Sequence, residues 1–382
     1  MIFYDANRRG SRIAARILIA LLIVAGGIGI AGRGQISSGE LADIRTVIES
    51  AKSTRATTAA SMDFAQGTMH ANDFQSAITS TRRAVADYDQ LAASASLTRF
   101  TSDSPFAQFV FTPRATLLGT VDRLNNAANT MQTQTAALID AMETSFANDF
   151  RTDGGHWMVQ VDDPAAINEL VSRYGKQRSY QTLQEHLDDL KSLYNLEQRV
   201  RQQVADSIAA VHAGETNAAQ IAVPTEAGAM DAAGWLGTAQ SVASTLGVQV
   251  KQTSVYGCPG ADDNGDDNAD MVIGFFCGGS QAGRNEVNML TTHPEWPAVE
   301  RSPLLVDYTK HELAHRSIMI VCGTTEPEIA ANRTEAVTNS YAVQFLGASR
   351  ERIAGSQQGL AAYAMDAQSD QIAQSIHNGT CA

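Results

Sequence analysis

Residues 311–315 read His-Glu-Leu-Ala-His. Positions four apart share one face of an α-helix, so His311 and His315 can present two imidazole nitrogens to a single ion. Glu312 stands one residue round, within reach of a water on that ion. Two neutral nitrogen ligands, an adjacent carboxylate and room for water are what a zinc hydrolase needs. With 8 His in 382 residues, chance yields this pattern in on the order of one such chain in a hundred. The bland alternative is a solvated helix with two unrelated histidines. A further candidate ligand weighs against it: Glu335 follows His315 by twenty positions.

Glu335, Ala336, Thr338 and Asn339 form a second pattern in the segment 332–339. With the His-Glu-Leu-Ala-His run, it resembles the gluzincin metallopeptidases, the thermolysin-like group. There a second helix supplies a glutamate ligand within a Glu-Ala-x-Ser/Thr-Asp-like motif, and Asn339 stands where that family carries Asp. The resemblance implies that His311, His315 and Glu335 hold Zn2+ and leave a fourth position to water. Glu312 is then the general base, taking a proton from water and passing it to the leaving amine. Asn339, one turn after Glu335, is expected to hydrogen-bond a ligating histidine from behind. An amide oxygen accepts from an imidazole N–H as a carboxylate does, but without charge, which leaves the ligand less basic.

The chain departs from that family elsewhere. Arg316 and Ser317 follow His315, where an uncharged and then a hydrophobic residue are usual. No Gly-x-x-His follows, which argues against the metzincin branch. Tyr341, Tyr363 and His377 are the residues available to stabilise an oxyanion, with no basis for choosing among them. Glu326 and Glu328 are alternative third ligands, the former poorly placed in a Thr-Thr-Glu-Pro turn.

The elements that must position these groups begin with an export signal. Residues 17–32 carry no charge, and Arg8, Arg9, Arg12 and Arg16 precede them. An apolar run of about 16 to 20 residues is near the lower limit for spanning a bilayer. The basic cluster keeps residues 1–16 cytoplasmic and sends the rest across. No Ala-x-Ala site follows and Arg33 comes next, so an uncleaved single-pass anchor is preferred over a removed signal peptide, which would make the protein secreted. Cysteine usage agrees. An even set of four, Cys258, Cys277, Cys322 and Cys381, suggests disulfides in an exported chain. Of the three pairings, Cys258–Cys277 and Cys322–Cys381 are favoured. A four-cysteine zinc site lacks its Cys-x-x-Cys spacing. A net charge of −13 with pI near 5.0 disfavours nucleic acid and anionic lipid as partners of the exported part.

The exported part divides into a helical region (33–220), a linker (221–229) and a smaller α+β domain (230–382). In the first, Leu117, Val121, Leu124, Ala128, Met131, Leu138 and Met142 recur at three- and four-residue spacings, interrupted by Thr135. Leu183, Leu187, Leu190 and Tyr194 do the same, followed by Val200, Val204, Ile208 and Val211. Such stripes mark an elongated helical bundle or coiled coil, suited to partner binding or self-association. Breaks are expected near Ser102–Pro105, Pro113 and Asp153-Gly154-Gly155. His70, His156, His186 and His212 lack ligand-like spacing and read as packing or surface residues.

Beyond the linker, the pattern predicts a helix over 230–246 with Trp235 and Leu236 facing a core. Strand-like stretches begin at Val248 and Met271, then come a metal helix over 304–321, the Glu335 helix over 328–347 and a closing helix over 350–376. A strand at the sheet edge could bind a substrate backbone by strand addition. Asp262, Asn264, Asp266 and Asp270 offer oxygen ligands for Ca2+, but no Gly or distal Glu falls in EF-hand register, and a solvated turn explains them better. The fold class expected is mainly α, ending in a small zincin-like α+β domain. Two functions remain. One is a membrane-anchored extracytoplasmic zinc endopeptidase acting on peptides or proteins. The other is an anchored helical scaffold whose zinc is purely structural.

Overall fold

A computed structural model of the chain describes residues 36–94, 100, 113–176, 179–258, 272–278 and 283–382. The chain is mainly helical with one small sheet. The expected anchor over 17–32, the break at Ser102–Pro105 and the acidic loop Asp262–Asp270 lie outside the described residues. Among the described residues, no helix is long and apolar enough to cross a membrane.

Two compact units emerge. The first comprises residues up to Met62 together with Ala77–Thr135. It is built from all but the end of the long helix α1 (Ser38–Gly67), all but the start of α2 (Gln75–Ser94) and the start of α3 (Arg114–Gln160). The α3 stripe packs as its spacing requires, with Leu117, Val121, Leu124 and Met131 buried against Ile44, Ile48 and Tyr88. Thr135, the polar interruption, is fully buried. Its hydroxyl lies 2.8 Å from that of Thr58 on α1, so the polar group is satisfied without leaving the stripe. Arg55 forks onto Asp89 with contacts of 2.6 and 2.8 Å, tying α1 to α2.

The second unit takes Asp63–Ser76 and Ala136–Ala382. It contains the end of α3, α4 (Ala165–Gly175), α5 (Leu183–Gln220), α6 (Ala232–Ser244) and the sheet. The remaining helices are α7 (Trp296–Val299), α8 (Leu304–Cys322), α9 (Thr334–Leu346), α10 (Arg350–Ser356) and α11 (Ala367–His377). Pro113 precedes α3 as expected, but no break occurs at Asp153-Gly154-Gly155, and α3 runs through to Gln160. The reason is local. The ring of Phe150, one turn earlier, fills the space where a Cβ at Gly154 would sit, 2.8 Å away. The helix ends at Val161–Pro164 instead. α5 opens with a capping box in which Thr182 and Glu185 satisfy each other's backbone.

Three strands, β1 (Gln249–Thr253), β2 (Gly274–Phe276) and β3 (Glu286–Leu290), form a sheet in the order β1-β3-β2. β3 lies in the centre, parallel to β1 and antiparallel to β2. Trp235 of α6 is fully buried and Leu236 packs beside it, sharing one core with Val287, Met289, Leu305, Leu313, Ile318, Val337 and Tyr341. The expected closing helix over 350–376 is two helices. Gly359 takes φ +92° in the connection, and Asp366 caps α11 with a capping box of its own. α9 starts at Thr334, after a short 3-10 turn over Glu328–Ala330. Both favoured disulfides are present, Cys258–Cys277 and Cys322–Cys381.

Candidate metal centre

α8 is buried on nearly every side, yet it carries Asp307, Thr309, Lys310, His311, Glu312 and Arg316. A buried polar group is costly unless it finds a partner, and these do. Asp307, fully buried, accepts from the Arg352 guanidinium and from the backbone N–H of Ser349, fastening α10. Lys310 donates to the carbonyl of Gly347 at 2.8 Å, placing a cation at the C-terminus of α9. Arg316 donates to Arg284 O at 2.9 Å and Asn285 Oδ1 at 3.2 Å, holding the turn ahead of β3. Burial pulls its pKa down to about 10. The C-terminal carbonyls of α8 are covered by Gln160, whose amide donates to Ile320 O and Val321 O. Gly323 ends the helix at φ +72°, where a Cβ would fall 2.4 Å from that of His156. Polar ties thus hold α10, the end of α9, the turn ahead of β3 and the end of α3 in register on α8.

Within that frame, His311, His315 and Glu335 come together. Glu335 Oε2 lies 3.1 Å from His311 Nε2 and 3.4 Å from His315 Nε2. Although buried and this close, it stands in hydrogen-bond geometry to neither ring. Tetrahedral bonds of the length zinc makes to nitrogen and oxygen place ligand atoms about 3.3 Å apart. The donor set therefore fits a zinc ion in chemistry, and the two spacings from Glu335 to the histidines match. The two rings stand edge to face, with centroids 4.9 Å apart.

The far sides of the rings fix which nitrogen faces inward. His311 Nδ1 lies 2.7 Å from Asn339 Oδ1. Asn339 cannot turn over, because its amide nitrogen already donates to Gln357 Oε1 and Tyr363 O. Nδ1 of His311 must then carry a hydrogen, so that in the neutral, metal-binding form of the ring the lone pair falls on Nε2. His315 Nδ1 has a longer contact, 3.4 Å, to Thr338 Oγ1. That hydroxyl spends its own hydrogen on Thr334 O, so it can only accept from the ring. Asn339 thus stands where the sequence pattern puts it, while the role of Thr338 is visible only in three dimensions.

The electrostatics follow from crowding. Burial disfavours charge on His311, but Glu335 and Glu312 outweigh it and hold its pKa up at about 9. Burial alone would raise Glu335; the two histidines overcome it and hold the carboxyl below the usual range. Glu312 is raised, chiefly by burial, with the histidines opposing. Its carboxyl lies against Gly274, where a Cβ would approach Oε1 to 3.2 Å, and the nearby backbone of Phe276 offsets part of the rise. The edge strand β2 therefore runs beside the candidate base.

The remaining candidates separate cleanly. Glu326 and Glu328 are exposed and do not join the cluster. Tyr341 is buried elsewhere, donating to Glu215 Oε1 at 2.8 Å. His377 stacks between Phe345 and His212. Tyr363 alone of the three oxyanion candidates adjoins the site. Its ring is 6.1 Å from that of His311, and burial together with Glu335 and Glu312 pushes its pKa up to about 12. Of the other histidines, His70 bonds Asp149 and His186 bonds Glu143. His212 joins Glu215 and His377 in a group that linear spacing does not disclose, although His212 and Glu215 stand three apart on one helical face.

No known family model, curated protein or solved structure matches this chain.

Proposed function

We propose that the chain is a zinc-dependent peptidase, anchored by residues 17–32 with its bulk outside the cell. One observation carries this reading: His311, His315 and Glu335 each bring a ligand atom within 4.8 Å of the others while Glu312, which is no part of the trio, stands beside them. A purely structural ion has no use for that carboxylate. Bound there, zinc polarises a carbonyl and makes water a nucleophile at neutral pH. Glu312 accepts the proton of the attacking water and returns it to the leaving nitrogen. Tyr363, whose phenol keeps its proton, donates to the oxygen that gains charge. An extended peptide would lie along the outer edge of β2, which among the described residues is paired on one side only. That edge is why a peptide is the preferred substrate class. The two disulfides suit an oxidising compartment.

Glu312→Gln tests the reading. The variant should keep its zinc and lose at least about 100-fold in peptide hydrolysis, the smaller end of what a general base contributes. Undiminished hydrolysis of a quenched peptide library by this variant removes the assigned mechanism.

A further inference from the structure

A second set of donors converges away from the centre just described. His212 and Glu215 stand on one face of α5, and His377 is the last residue of α11. One ligand atom from each lies within 4.8 Å of the others. Glu215 is only 1% exposed. The Tyr341 hydroxyl donates to its Oε1 at 2.8 Å and so fixes the carboxylate plane. The other oxygen, Oε2, lies 3.2 Å from His377 Nε2 but outside hydrogen-bond geometry, and the buried Nε2 of His212 has no hydrogen-bond partner either. Glu335 shows the same signature at the first centre: a buried carboxylate oxygen close to imidazole nitrogens, without an N–H aimed at it.

We propose that His212, Glu215 and His377 form a second divalent-cation site, of the zinc class and structural in role. A buried polar atom left unsatisfied is destabilising, and one cation removes the deficit of Glu215 Oε2 and His212 Nε2 together. Two imidazoles and one carboxylate select zinc and its transition-metal neighbours over calcium and magnesium, which prefer all-oxygen sites. The rings of His212 and His377 lie stacked with centroids 4.0 Å apart; they fan apart as their Nε2 atoms turn onto the ion. Tyr341 supports Glu215 from behind, as Asn339 supports His311. The ion ties α5 to α11, with Tyr341 of α9 bound to the same carboxylate. This site is independent of the catalytic assignment.

The test is zinc stoichiometry of the full chain in detergent micelles, by elemental analysis after equilibration with zinc and removal of excess. Wild type should hold two equivalents, and His212→Ala and His311→Ala one each. Tyr341→Phe should weaken the second equivalent about 10-fold or more. Two equivalents retained in His212→Ala overturn the proposal. So does a single equivalent in wild type that His212→Ala keeps and His311→Ala loses, which leaves the catalytic centre standing. A single equivalent lost in His212→Ala and kept in His311→Ala supports this site and sinks the other. No zinc in wild type, a measurement that depends on no variant folding, overturns both.

Discussion

Asn339 is the residue on which the chemistry of the centre turns. Its oxygen takes the Nδ1 hydrogen of His311 at 2.7 Å and its nitrogen is spent on Gln357 and Tyr363, so the ring has one usable tautomer. Removing a partner of this kind costs metal affinity without touching a ligand. Asn339→Ala should therefore weaken zinc binding by about 10- to 100-fold, measured by competition with a chromophoric chelator. Unchanged affinity would show that the tautomer is set elsewhere. At this scale much is legible in the sequence, because two histidines four apart and a carboxylate between them are fixed by helix geometry alone. The group formed by His212, Glu215 and His377 is not. Its local half is a spacing of three on α5, but the third member comes from a helix at the far end of the chain, which no periodicity reveals.

Among the elements, α8 behaves as a buried post to which the others are tied. Asp307 is its firmest tie, with no exposure and three hydrogen bonds, two of them to the Arg352 guanidinium. Deleting one member of a buried charged pair strands the other, at a cost of about 3–5 kcal/mol. Asp307→Ala should lose that much in urea unfolding, and a loss under about 1 kcal/mol, the value of a surface pair, would mean α10 is not held this way. The helix carrying the Leu117–Met142 stripe is legible in the sequence, because the spacing of its apolar residues is itself the helical repeat. β3 is not, since a five-residue strand with Asn288 buried at its middle lacks the alternation that marks a half-buried strand. The closing helix is overextended in a linear reading because Gly359 is the one glycine between its two halves, and a single glycine is weak evidence of a break.

For the whole molecule, one disulfide ties the helix that carries the site to a residue far along the chain. Cys322–Cys381 closes a separation of 59 residues and fastens the end of the chain to the last residue of α8. In the chain-entropy account a loop of this size contributes about 4 kcal/mol. Replacing both cysteines by serine should lower the unfolding free energy by about that amount, and an unchanged denaturation midpoint would deny the bond a stabilising role. An even count of four cysteines makes disulfides legible in the sequence, but it leaves three pairings open, and the favoured one is the pairing observed. How the helices divide is not legible, because α3 and α5 carry stripes that look alike whichever core they join, and only packing shows Val211 and Ala218 sharing the core of α8. The proposed function rests on one ion held by three named ligands. Anomalous scattering at the zinc edge from zinc-loaded crystals tests it most directly. A peak about 2.0–2.2 Å from His311 Nε2, His315 Nε2 and a Glu335 oxygen is the predicted result. A zinc-loaded crystal with no peak among those three side chains would contradict it.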